Sequence, residues 1–468
     1  MELPNYNEAR KRGKEKVLKE YYSLNPSLKN IGKGKKYYIK TYGCQMNEHD
    51  SENISAMLAD MSFTKTEEVE NADIVIVNTC SIRENAHNKA FGFLGKLKHI
   101  KESKKNLIVG VCGCMAQEEK VVEEILKKYK WINFVFGTHN IHRLPYILND
   151  ALKSKKLEIE VCSKEGNIVE NIPVIRENKF KAYVNIMYGC DKFCTYCIVP
   201  FTRGKQRSRD KDDIIKEVEN LVKEGYMEVT LLGQNVNAYG KDFDYKYTME
   251  NLLEDVAKTN IPRIRFMTSH PWDFTDGMIE VIKKYPNIMP FVHLPVQSGS
   301  TRILKLMGRR YTKEEYIALF DKIKTIKDVS VSTDIIVGFP GETEEDFNET
   351  MDLVNYCKFN NAYTFIFSKR EGTAAAKLKD ETPLEEKEKR LYKLNETVNK
   401  YFLENNKKLV GKVVKVLIEG ESEKEDMLFG YTDTNHLVNL YGDKSLIGKI
   451  VDVEIIDAKT WSLDGRAK

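Results

Sequence analysis

Short runs of β-branched and aromatic residues alternate with helical stretches along most of this 468-residue chain, and this alternation constrains the fold more than any other feature. In residues 36–153 it predicts strands at 37–41, 74–78, 107–111 and 134–136. Such alternation is typical of βαβ units, which build a parallel sheet. We therefore expect an α/β chain whose N-terminal domain contains an open parallel sheet.

The same alternation recurs between residues 180 and 378. It gives six βα units, too few for a closed eight-stranded barrel, so it predicts a partial (β/α)6 barrel. Its strands are predicted at 182–187, 228–232, 263–268, 290–294, 329–337 and 362–367.

The end of the chain differs from both preceding parts. A charged helix is predicted over 383–408, and from residue 410 onward short strands are broken by Gly and Asp turns. This pattern predicts a small, OB-like five-stranded β-barrel. The predicted domain limits are 1–35 for a basic extension, 36–153 for the N-terminal domain, 176–406 for the central barrel and 409–468 for the C-terminal barrel.

Composition favours a large cytoplasmic enzyme. Hydrophobic residues make up 41% of the chain and charged residues 31%, and no apolar run is long enough to span a membrane. The polar, basic N-terminus has no signal-peptide pattern, so we expect the protein in the cytosol. In that reducing compartment the nine cysteines indicate metal or redox roles before disulfides.

Basic residues are concentrated in two places. Residues 1–36 contain ten Lys or Arg against four acids, which suits either a solubilising arm or a contact with a polyanion. The second place is an alternating string of Arg203, Lys205, Arg207 and Arg209. Because this string directly follows a cysteine cluster, we expect it to contact the phosphates of a nucleic acid.

That cluster contains Cys190, Cys194 and Cys197, spaced by three and then two residues. Three thiolates can hold three irons of a [4Fe-4S] cube and leave the fourth iron open for chemistry. Zinc is the alternative, but a structural zinc site needs four ligands, and the sequence nearby offers no fourth Cys or His. The spacing therefore favours an iron–sulfur cluster.

Three further cysteines, Cys44, Cys80 and Cys114, each follow a predicted strand of the N-terminal domain. Loops at the carboxyl ends of parallel strands share one rim of the sheet, so these thiols should converge. They either hold a second [4Fe-4S] cluster or are three inert buried thiols. Cys112 could compete with Cys114 as a ligand, but it should be buried if the strand continues through it. Cys162 and Cys357 look like ordinary thiols.

These motifs resemble the radical-SAM methylthiotransferase family over nearly the whole chain, with its three-cysteine N-terminal domain, radical-SAM domain and C-terminal TRAM domain. Within that family, Cys-Gln-Met-Asn at 44–47 and Ser-Ile-Arg at 81–83 favour the branch that modifies dimethylallyladenosine in tRNA. The segments that carry the resemblance are 41–47, 78–83, 113–117, 187–209, 232–237 and 293–299.

The resemblance implies methylthiolation of C2 of N6-dimethylallyladenosine next to the tRNA anticodon. Its implied cofactors are S-adenosylmethionine (SAM) and two [4Fe-4S] clusters, with Cys44, Cys80 and Cys114 as ligands of one and Cys112 left out. Sister branches modify threonylcarbamoyladenosine in tRNA or an aspartate of a ribosomal protein, and both remain alternatives. A zinc-bearing RNA-binding protein without enzymatic activity is the rival from another class.

Further site residues follow from their positions at predicted strand ends. Gly233, Gln234 and Asn235 occupy the place where related enzymes contact SAM, and no catalytic residue is predicted beyond the cluster ligands. The expected partners are the tRNA anticodon loop and an electron donor such as flavodoxin or ferredoxin, with the protein acting as a monomer. Other candidates for the cofactor site are Ser269, His270, His293, Gln297, Asp334 and Arg370.

Overall fold

The computed structural model describes residues 2–11, 17–81, 84–154, 156–423 and 426–468. Part of the predicted motif at 78–83 and several lysines and arginines of the N-terminal extension lie outside the described residues. Among the described residues, no helix is long and apolar enough to cross a membrane. The chain forms two compact units. The first unit comprises Met1–Glu177, Met187–Phe193 and Cys197–Arg209. The second unit comprises Asn178–Ile186, Cys194–Tyr196 and Asp210–Lys468.

The strands and helices up to residue 177 belong to the first unit. The helices are α1 (Tyr6–Arg10), α2 (Gln45–Asp60), α3 (Glu84–Ser103), α4 (Glu119–Lys128) and α5 (Leu144–Lys153). The strands are β1 (Lys19–Tyr21), β2 (Lys36–Tyr42), β3 (Thr64–Lys65), β4 (Ile74–Thr79), β5 (Ile108–Gly113), β6 (Phe134–Phe136), β7 (Glu158–Glu160) and β8 (Ile168–Glu170).

A six-stranded parallel sheet forms the centre of the first unit, in the order β3-β2-β4-β5-β6-β7. Strand β4 is buried along its whole length because helices cover both faces of the sheet. Val75 and Val77 point into one hydrophobic core, while Ile74 and Ile76 point into the other. Both cores are apolar, as the alternation of side chains along a buried strand requires.

Helix α2 is unusual because it buries polar side chains. Asn47, His49, Asp50, Glu52 and Asn53 are all less than a tenth exposed. Burying a polar group costs free energy unless it finds a hydrogen-bond partner, so these side chains need partners inside the unit. The first turns of α2 therefore form the wall of a polar site.

The next group of elements runs from residue 181 to residue 407. Three of them, β10 (Met187–Tyr188), α6 (Val199–Thr202) and β11 (Arg207–Ser208), belong to the first unit. The strands of the second unit are β9 (Lys181–Asn185), β12 (Glu228–Leu232), β13 (Arg263–Phe266), β14 (Phe291–His293), β15 (Ser330–Val337) and β16 (Asn361–Ile366). Its helices are α7 (Lys211–Lys223), α8 (Met249–Ala257), α9 (Asp276–Lys284), α10 (Thr301–Leu306), α11 (Lys313–Ile323), α12 (Glu344–Cys357) and α13 (Leu384–Lys407).

The six strands of the second unit form two parallel three-stranded sheets, β13-β12-β9 and β14-β15-β16. A parallel bridge between Ile264 and Ile288 joins them. Helices between successive strands complete the βα units, and α11 and α12 each begin with a capping box, at Thr312 and Thr343. The predicted partial (β/α)6 barrel is confirmed.

The C-terminal strands close into a five-stranded barrel in the order β17-β18-β19-β21-β20, also as predicted. Arg263 of the central barrel donates to the carbonyl oxygens of Tyr431 (3.1 Å) and Thr432 (2.7 Å), and Lys181 pairs with Glu419 at 2.7 Å. These bonds fix the small barrel against the central one within the second unit. Its strands are β17 (Val413–Glu421), β18 (Met427–Thr432), β19 (Leu437–Tyr441), β20 (Ile450–Ala458) and β21 (Leu463–Ala467).

Candidate active site

Three cysteines follow three neighbouring strands of the first unit. Cys44 caps the N-terminus of α2 after β2, Cys80 follows β4, and Cys114 begins a 3₁₀ turn after β5. The thiols of Cys44 and Cys80 are hydrogen-bonded to each other. Cys80 and Cys114 are 1% and 4% exposed. The three cysteines thus lie at the carboxyl-end rim of the sheet, as residues that follow parallel strands should, and their role as ligands stays a prediction.

Asn47 holds this cysteine site together. Its side-chain oxygen accepts from the backbone N–H of Cys44 at 3.3 Å and from the thiol of the same residue at 3.4 Å. Its amide nitrogen donates to Asn78 (3.1 Å) and to the carbonyl of Thr79 (3.2 Å), at the end of the neighbouring strand. The first turn of α2 is thus tied to the end of β4.

The residue before Cys114 must be glycine. Gly113 has a φ of +91°, and a Cβ atom there would lie 2.3 Å from the carbonyl oxygen of Thr79. No other residue tolerates both the left-handed backbone and this close approach. The Gly-Cys sequence therefore turns Cys114 toward the other two thiols.

A buried arginine supplies positive charge near the thiols of Cys114 and Cys44. Arg203 Nε donates to Cys114 Sγ at 3.2 Å, and its Nη2 pairs with Asp50 at 2.6 Å. Burial alone would lower the pKa of Arg203, but Asp50 and the thiols raise it well above its usual value. Arg203 therefore stays charged.

The thiols respond differently to this environment. The hydrogen bond from Cys80, with help from Arg203, lowers the pKa of Cys44 to about 6 against the opposing effect of burial. Burial raises the pKa of Cys114, although Arg203 acts in the opposite direction. A metal would overcome this cost, because it binds thiolate and displaces the proton.

The site residues fit a thiolate-bound cluster through their donor atoms. Within the described ranges, no three His, Cys, Asp or Glu side chains stand in the arrangement of a formed metal site. The fit is therefore one of chemistry: three thiols meet at one rim, with a buried cation to balance thiolate charge. This donor set suits iron–sulfur ligation.

Cys112 points away from this site. It pairs with Asn78 across the sheet inside β5, is 1% exposed, and packs in the hydrophobic core behind the sheet. Burial raises its pKa well above the usual value. The expectation of a buried Cys112 is confirmed. Cys162 and Cys357 are also not at the site, and burial raises the pKa of each, that of Cys162 to about 12.

The second predicted cluster site begins with Cys190 in the first unit. Its N–H donates to the carbonyl of Gly204 at 3.1 Å. The preceding Gly189 has a φ of +72°, and a Cβ there would lie 2.0 Å from the carbonyl oxygen of Lys205. The half-buried Cys197 lies in the same unit. The turn before Cys190 is thus fixed by the segment that follows the motif.

Cys194 lies in the second unit and is buried. Arg309 Nη1 lies 3.7 Å from its sulfur, and Thr195 donates its backbone N–H to the carbonyl of Met307 at 2.9 Å. Phe193, the residue before it, has a φ of +49° and a side chain that is 44% exposed. The loop is therefore anchored after Cys194, where the turn at the C-terminal end of α10 holds it.

The residues predicted to bind SAM lie at the carboxyl end of β12. Gly233, Gln234 and Asn235 follow this strand, and Asn235 donates to Asp273 at 2.7 Å. Asn235 is 2% exposed. This position agrees with a cofactor-binding loop at the barrel mouth, and the assignment itself stays a prediction.

Three other predicted residues are brought together where β14 ends beside the middle of β15. His293 Nδ1 lies 2.8 Å from the hydroxyl of Ser332, and its Nε2 lies 3.4 Å from Asp334. The backbone N–H of Gln297 donates to the carbonyl of Asp334 at 2.8 Å. Arg370 follows β16 in a turn and is half-buried. Their cofactor role also stays a prediction, as does that of the buried Ser269 and His270.

The basic string is not an exposed strand. Arg203, Arg207 and Arg209 are 5%, 6% and 8% exposed, and only Lys205 is half-buried. Arg207 donates to the carbonyl of Gly166 at 2.8 Å, while Arg209 forms a fork with Glu170 at 2.7–3.2 Å. Acids, carbonyls and a thiol of the first unit bind these three arginines, so their side chains are not presented to solvent. Their predicted RNA contacts therefore have no support in this geometry.

Sequence reasoning missed three residues next to the cysteines. Asn47 and Asp50 sit in the buried polar turns of α2, and Arg309 contacts Cys194. The weak amphipathicity of α2, with polar residues in nearly every turn of its first half, is the one sequence signal that could have pointed to the first two. Nothing in the local sequence distinguishes Arg309 from its exposed neighbour Arg310.

Known families account for most of the chain. The Radical SAM superfamily matches residues 184–354, the family described as Uncharacterized protein family UPF0004 matches residues 36–137, and the TRAM domain matches residues 407–468. The central match includes the Cys190–Cys197 motif, and the N-terminal one includes Cys44, Cys80 and Cys114.

Curated relatives extend over nearly the full length. A protein of Bacillus cytotoxicus is 56% identical over 466 residues, covering 99% of this chain and 92% of its own. Proteins of Geobacillus kaustophilus (56% identical, 99% and 88% covered) and Oceanobacillus iheyensis (57% identical, 99% and 90% covered) are similar. All three are named tRNA-2-methylthio-N(6)-dimethylallyladenosine synthase.

Among solved structures, the radical SAM methyltransferase TsrM of Kitasatospora setae shares the fold. Its structure with cobalamin and a [4Fe-4S] cluster has a TM-score of 0.53, with 13% identity over 73% of this chain and 77% of TsrM. A second structure of the same enzyme, with tryptophan and a SAM analogue, has a TM-score of 0.51 at 12% identity. At this identity the likeness concerns the fold alone.

The order of the matched domains, with the three-cysteine motif at the end of the first barrel strand, defines a radical-SAM enzyme extended by a second cysteine-bearing domain and a TRAM domain. The chain belongs to the family of tRNA-2-methylthio-N(6)-dimethylallyladenosine synthases, which are radical-SAM methylthiotransferases. Membership of the radical-SAM superfamily implies SAM and a [4Fe-4S] cluster as cofactors.

Proposed function

We propose that this chain methylthiolates C2 of N6-dimethylallyladenosine next to the anticodon of tRNA, giving 2-methylthio-N6-dimethylallyladenosine. The observation that carries the proposal is the meeting of Cys44, Cys80 and Cys114 at one rim of the N-terminal sheet, in addition to the radical-SAM motif. Sulfur insertion at an unactivated C–H needs both a radical source and a sulfur carrier. A second thiolate site supports the latter role.

The two cysteine sets would hold separate clusters. Cys190, Cys194 and Cys197 would bind the cluster that works with SAM, and Cys44, Cys80 and Cys114 a second [4Fe-4S] cluster. When bound, these groups supply the 5′-deoxyadenosyl radical and the sulfur to be transferred. The chain itself orients them: Asn47 and Gly113 fix the thiols of one set, and Arg309 packs on a thiol of the other.

The barrel mouth would bind SAM through polar groups at strand ends. Gly233, Gln234 and Asn235 supply one wall, supported by the bond from Asn235 to Asp273. His293 and Asp334, from the β14-β15-β16 sheet, would supply further contacts to SAM. The ring of His293 is held between the hydroxyl of Ser332 and the carboxylate of Asp334. Gln297 and Arg370 complete the proposed set. The open carboxyl end of a βα barrel is where such enzymes place cofactors.

The tRNA partner would be held in part by the TRAM barrel. Its surface exposes Tyr441 (65%) and Trp461 (63%), and aromatic side chains can stack on unpaired bases. An anticodon loop presents unstacked bases, whereas a duplex would hide the C2 edge of adenine. An electron donor such as flavodoxin or ferredoxin, and a monomeric state, are part of the same proposal.

Nucleoside mass spectrometry tests the proposal. A strain that lacks its own enzyme should regain 2-methylthio-N6-dimethylallyladenosine in bulk tRNA when it expresses this chain, and should lose it again with Cys114→Ala. Cys357→Ala, a buried thiol of the second unit, is the matched control and should restore the modification. A gain of 2-methylthio-threonylcarbamoyladenosine, or of a methylthiolated ribosomal protein, would instead assign the chain to a sister activity.

A further inference from the structure

Arg203 approaches the N-terminal cysteines from a part of the chain far from them in sequence. It follows the third cysteine of the radical-SAM motif by six positions, yet its Nε lies 3.2 Å from Cys114 Sγ. It is 5% exposed, and its Nη2 pairs with Asp50 at 2.6 Å. One guanidinium thus contacts a thiol and an acid on two different elements.

The backbone around Arg203 is fixed on both sides. Its own N–H donates to the carbonyl of Val199 at 2.8 Å and ends helix α6. The carbonyl of Thr202 accepts from the hydroxyl of Thr138 at 2.5 Å. On the other side, the carbonyl of Gly204 accepts from the backbone N–H of Cys190 at 3.1 Å. The position of the guanidinium is therefore determined by the fold of the first unit.

The contacts of Arg203 join two of the three cysteine-bearing elements. Asp50 lies on α2, the helix that Cys44 caps, and Cys114 lies in the turn after β5. The guanidinium is planar and rigid, so its two hydrogen bonds fix the distance between these elements. Its Nε side faces the sulfur of Cys114, while its Nη2 side is paired with Asp50.

We propose that Arg203 is the positioning residue of the N-terminal cluster. It holds Cys114 in the ligating orientation through the N–H···S bond, and its charge raises the reduction potential of the cluster. Hydrogen bonds to ligand sulfur and nearby positive charge favour the reduced, more negative form of an iron–sulfur cluster. The inference rests on the proposed second cluster and goes beyond it by assigning a residue that is not a ligand.

The chain offers a test that isolates this cluster. A full-length background with Cys190, Cys194 and Cys197 all changed to Ala removes the radical-SAM cluster. Anaerobic reconstitution should then give about four irons per chain, and their midpoint potential can be measured by redox titration. Absence of iron in this background would contradict the proposed second cluster itself, independently of any variant of Arg203.

Two substitutions in that background should have opposite effects. Arg203→Gln removes positive charge, so the midpoint potential should fall and iron should be lost to a chelator about tenfold faster. Asp50→Asn removes the opposing negative charge, so the potential should rise. If Arg203 and Asp50 merely stabilised the fold, the two substitutions would not shift the midpoint potential in opposite directions. Shifts in the same direction, or no shift in either variant, would overturn the assignment.

Arg209→Gln is the matched control, because it breaks a buried ion pair of the same segment without touching a thiol. Its cluster should keep the parent potential. Arg203→Lys covers the case in which the glutamine variant does not fold: it keeps the charge but loses the planar fork, so its midpoint potential should lie below that of the parent. A lysine variant with the parent potential and the parent rate of iron loss would also count against the proposal.

Discussion

Arg309 and Cys194 are in contact within the second unit, with the guanidinium Nη1 3.7 Å from the sulfur. The same arginine donates to the carbonyl of Pro295 at 2.6 Å and to the hydroxyl of Tyr311 at 2.9 Å. Arg309 is buried, at 6% exposure. The turn after α10 is thereby bound to the loop of the radical-SAM motif.

Arg309→Gln should weaken iron binding by the radical-SAM motif, because removing a residue that orients a metal ligand lowers the affinity for the metal. We expect about a tenfold lower affinity for iron and a matching fall in SAM cleavage to 5′-deoxyadenosine. Iron content should be measured in a background with Cys44, Cys80 and Cys114 changed to Ala. Arg310→Gln, at the exposed neighbouring position, is the control and should keep the parent iron content. Equal loss in both variants would contradict a specific role for Arg309.

The two cysteine sets should separate in function. Cys44→Ala, Cys80→Ala or Cys114→Ala should abolish methylthiolation and leave SAM cleavage measurable, because the radical would arise at the other set. Cys112→Ala should keep both activities, since its side chain packs behind the sheet. Product nucleosides and 5′-deoxyadenosine can be quantified in the same reaction. Activity in Cys114→Ala together with inactivity in Cys112→Ala would reverse the ligand assignment.

The ion pair between Arg209 and Glu170 should contribute to stability rather than to RNA binding. Arg209→Gln leaves a buried carboxylate without its partner, which costs about 3–5 kcal/mol. The thermal midpoint of the first unit should therefore fall, while Arg209→Leu with Glu170→Leu should recover most of the loss. The dependence of tRNA affinity on salt should keep its slope in the double variant. A shallower slope would restore the predicted phosphate contact.

His436 should make the stability of the TRAM barrel depend on pH. Burial lowers the pKa of His436 to about 4, below its usual 6.5. Between these two pKa values His436 is protonated in the unfolded chain but neutral in the folded barrel. The free energy of unfolding is therefore greatest above about pH 6.5 and falls as the pH decreases toward 4. The slope is at most about 1.4 kcal/mol per pH unit. Hydrogen exchange in β18 and β19 measures it, and His436→Gln should remove this component.

Much of the fold is encoded locally. The strands predicted at 134–136 and 228–232 have the same bounds in the structure. Their ends could be predicted because turn residues flank each apolar, β-branched run. The meeting of Cys44, Cys80 and Cys114 could also be predicted, since parallel strands place their carboxyl ends together.

Partners distant in sequence could not be predicted. The alternating basic residues around Arg209 suggest a phosphate contact, but Glu170, 39 residues earlier, pairs with Arg209 inside the first unit. Arg203 pairs with Asp50, 153 residues away. No periodicity encodes such pairs, because they depend on how separate elements pack. The domain limits drawn from the sequence likewise stay a proposal.

The edges of the sheets bear on whether the cluster-free protein aggregates. The TRAM barrel is closed, so each of its described strands pairs with a neighbour on both sides. The six-stranded sheet ends on one side in β3, two residues long with Lys65 paired to Glu177 at 2.7 Å, and on the other in β7, which carries two glutamates. Short, charged edges discourage strand-to-strand association between molecules. Loss of the clusters should therefore abolish activity without exposing, in the N-terminal domain or the TRAM barrel, a strand edge that favours fibrous aggregation.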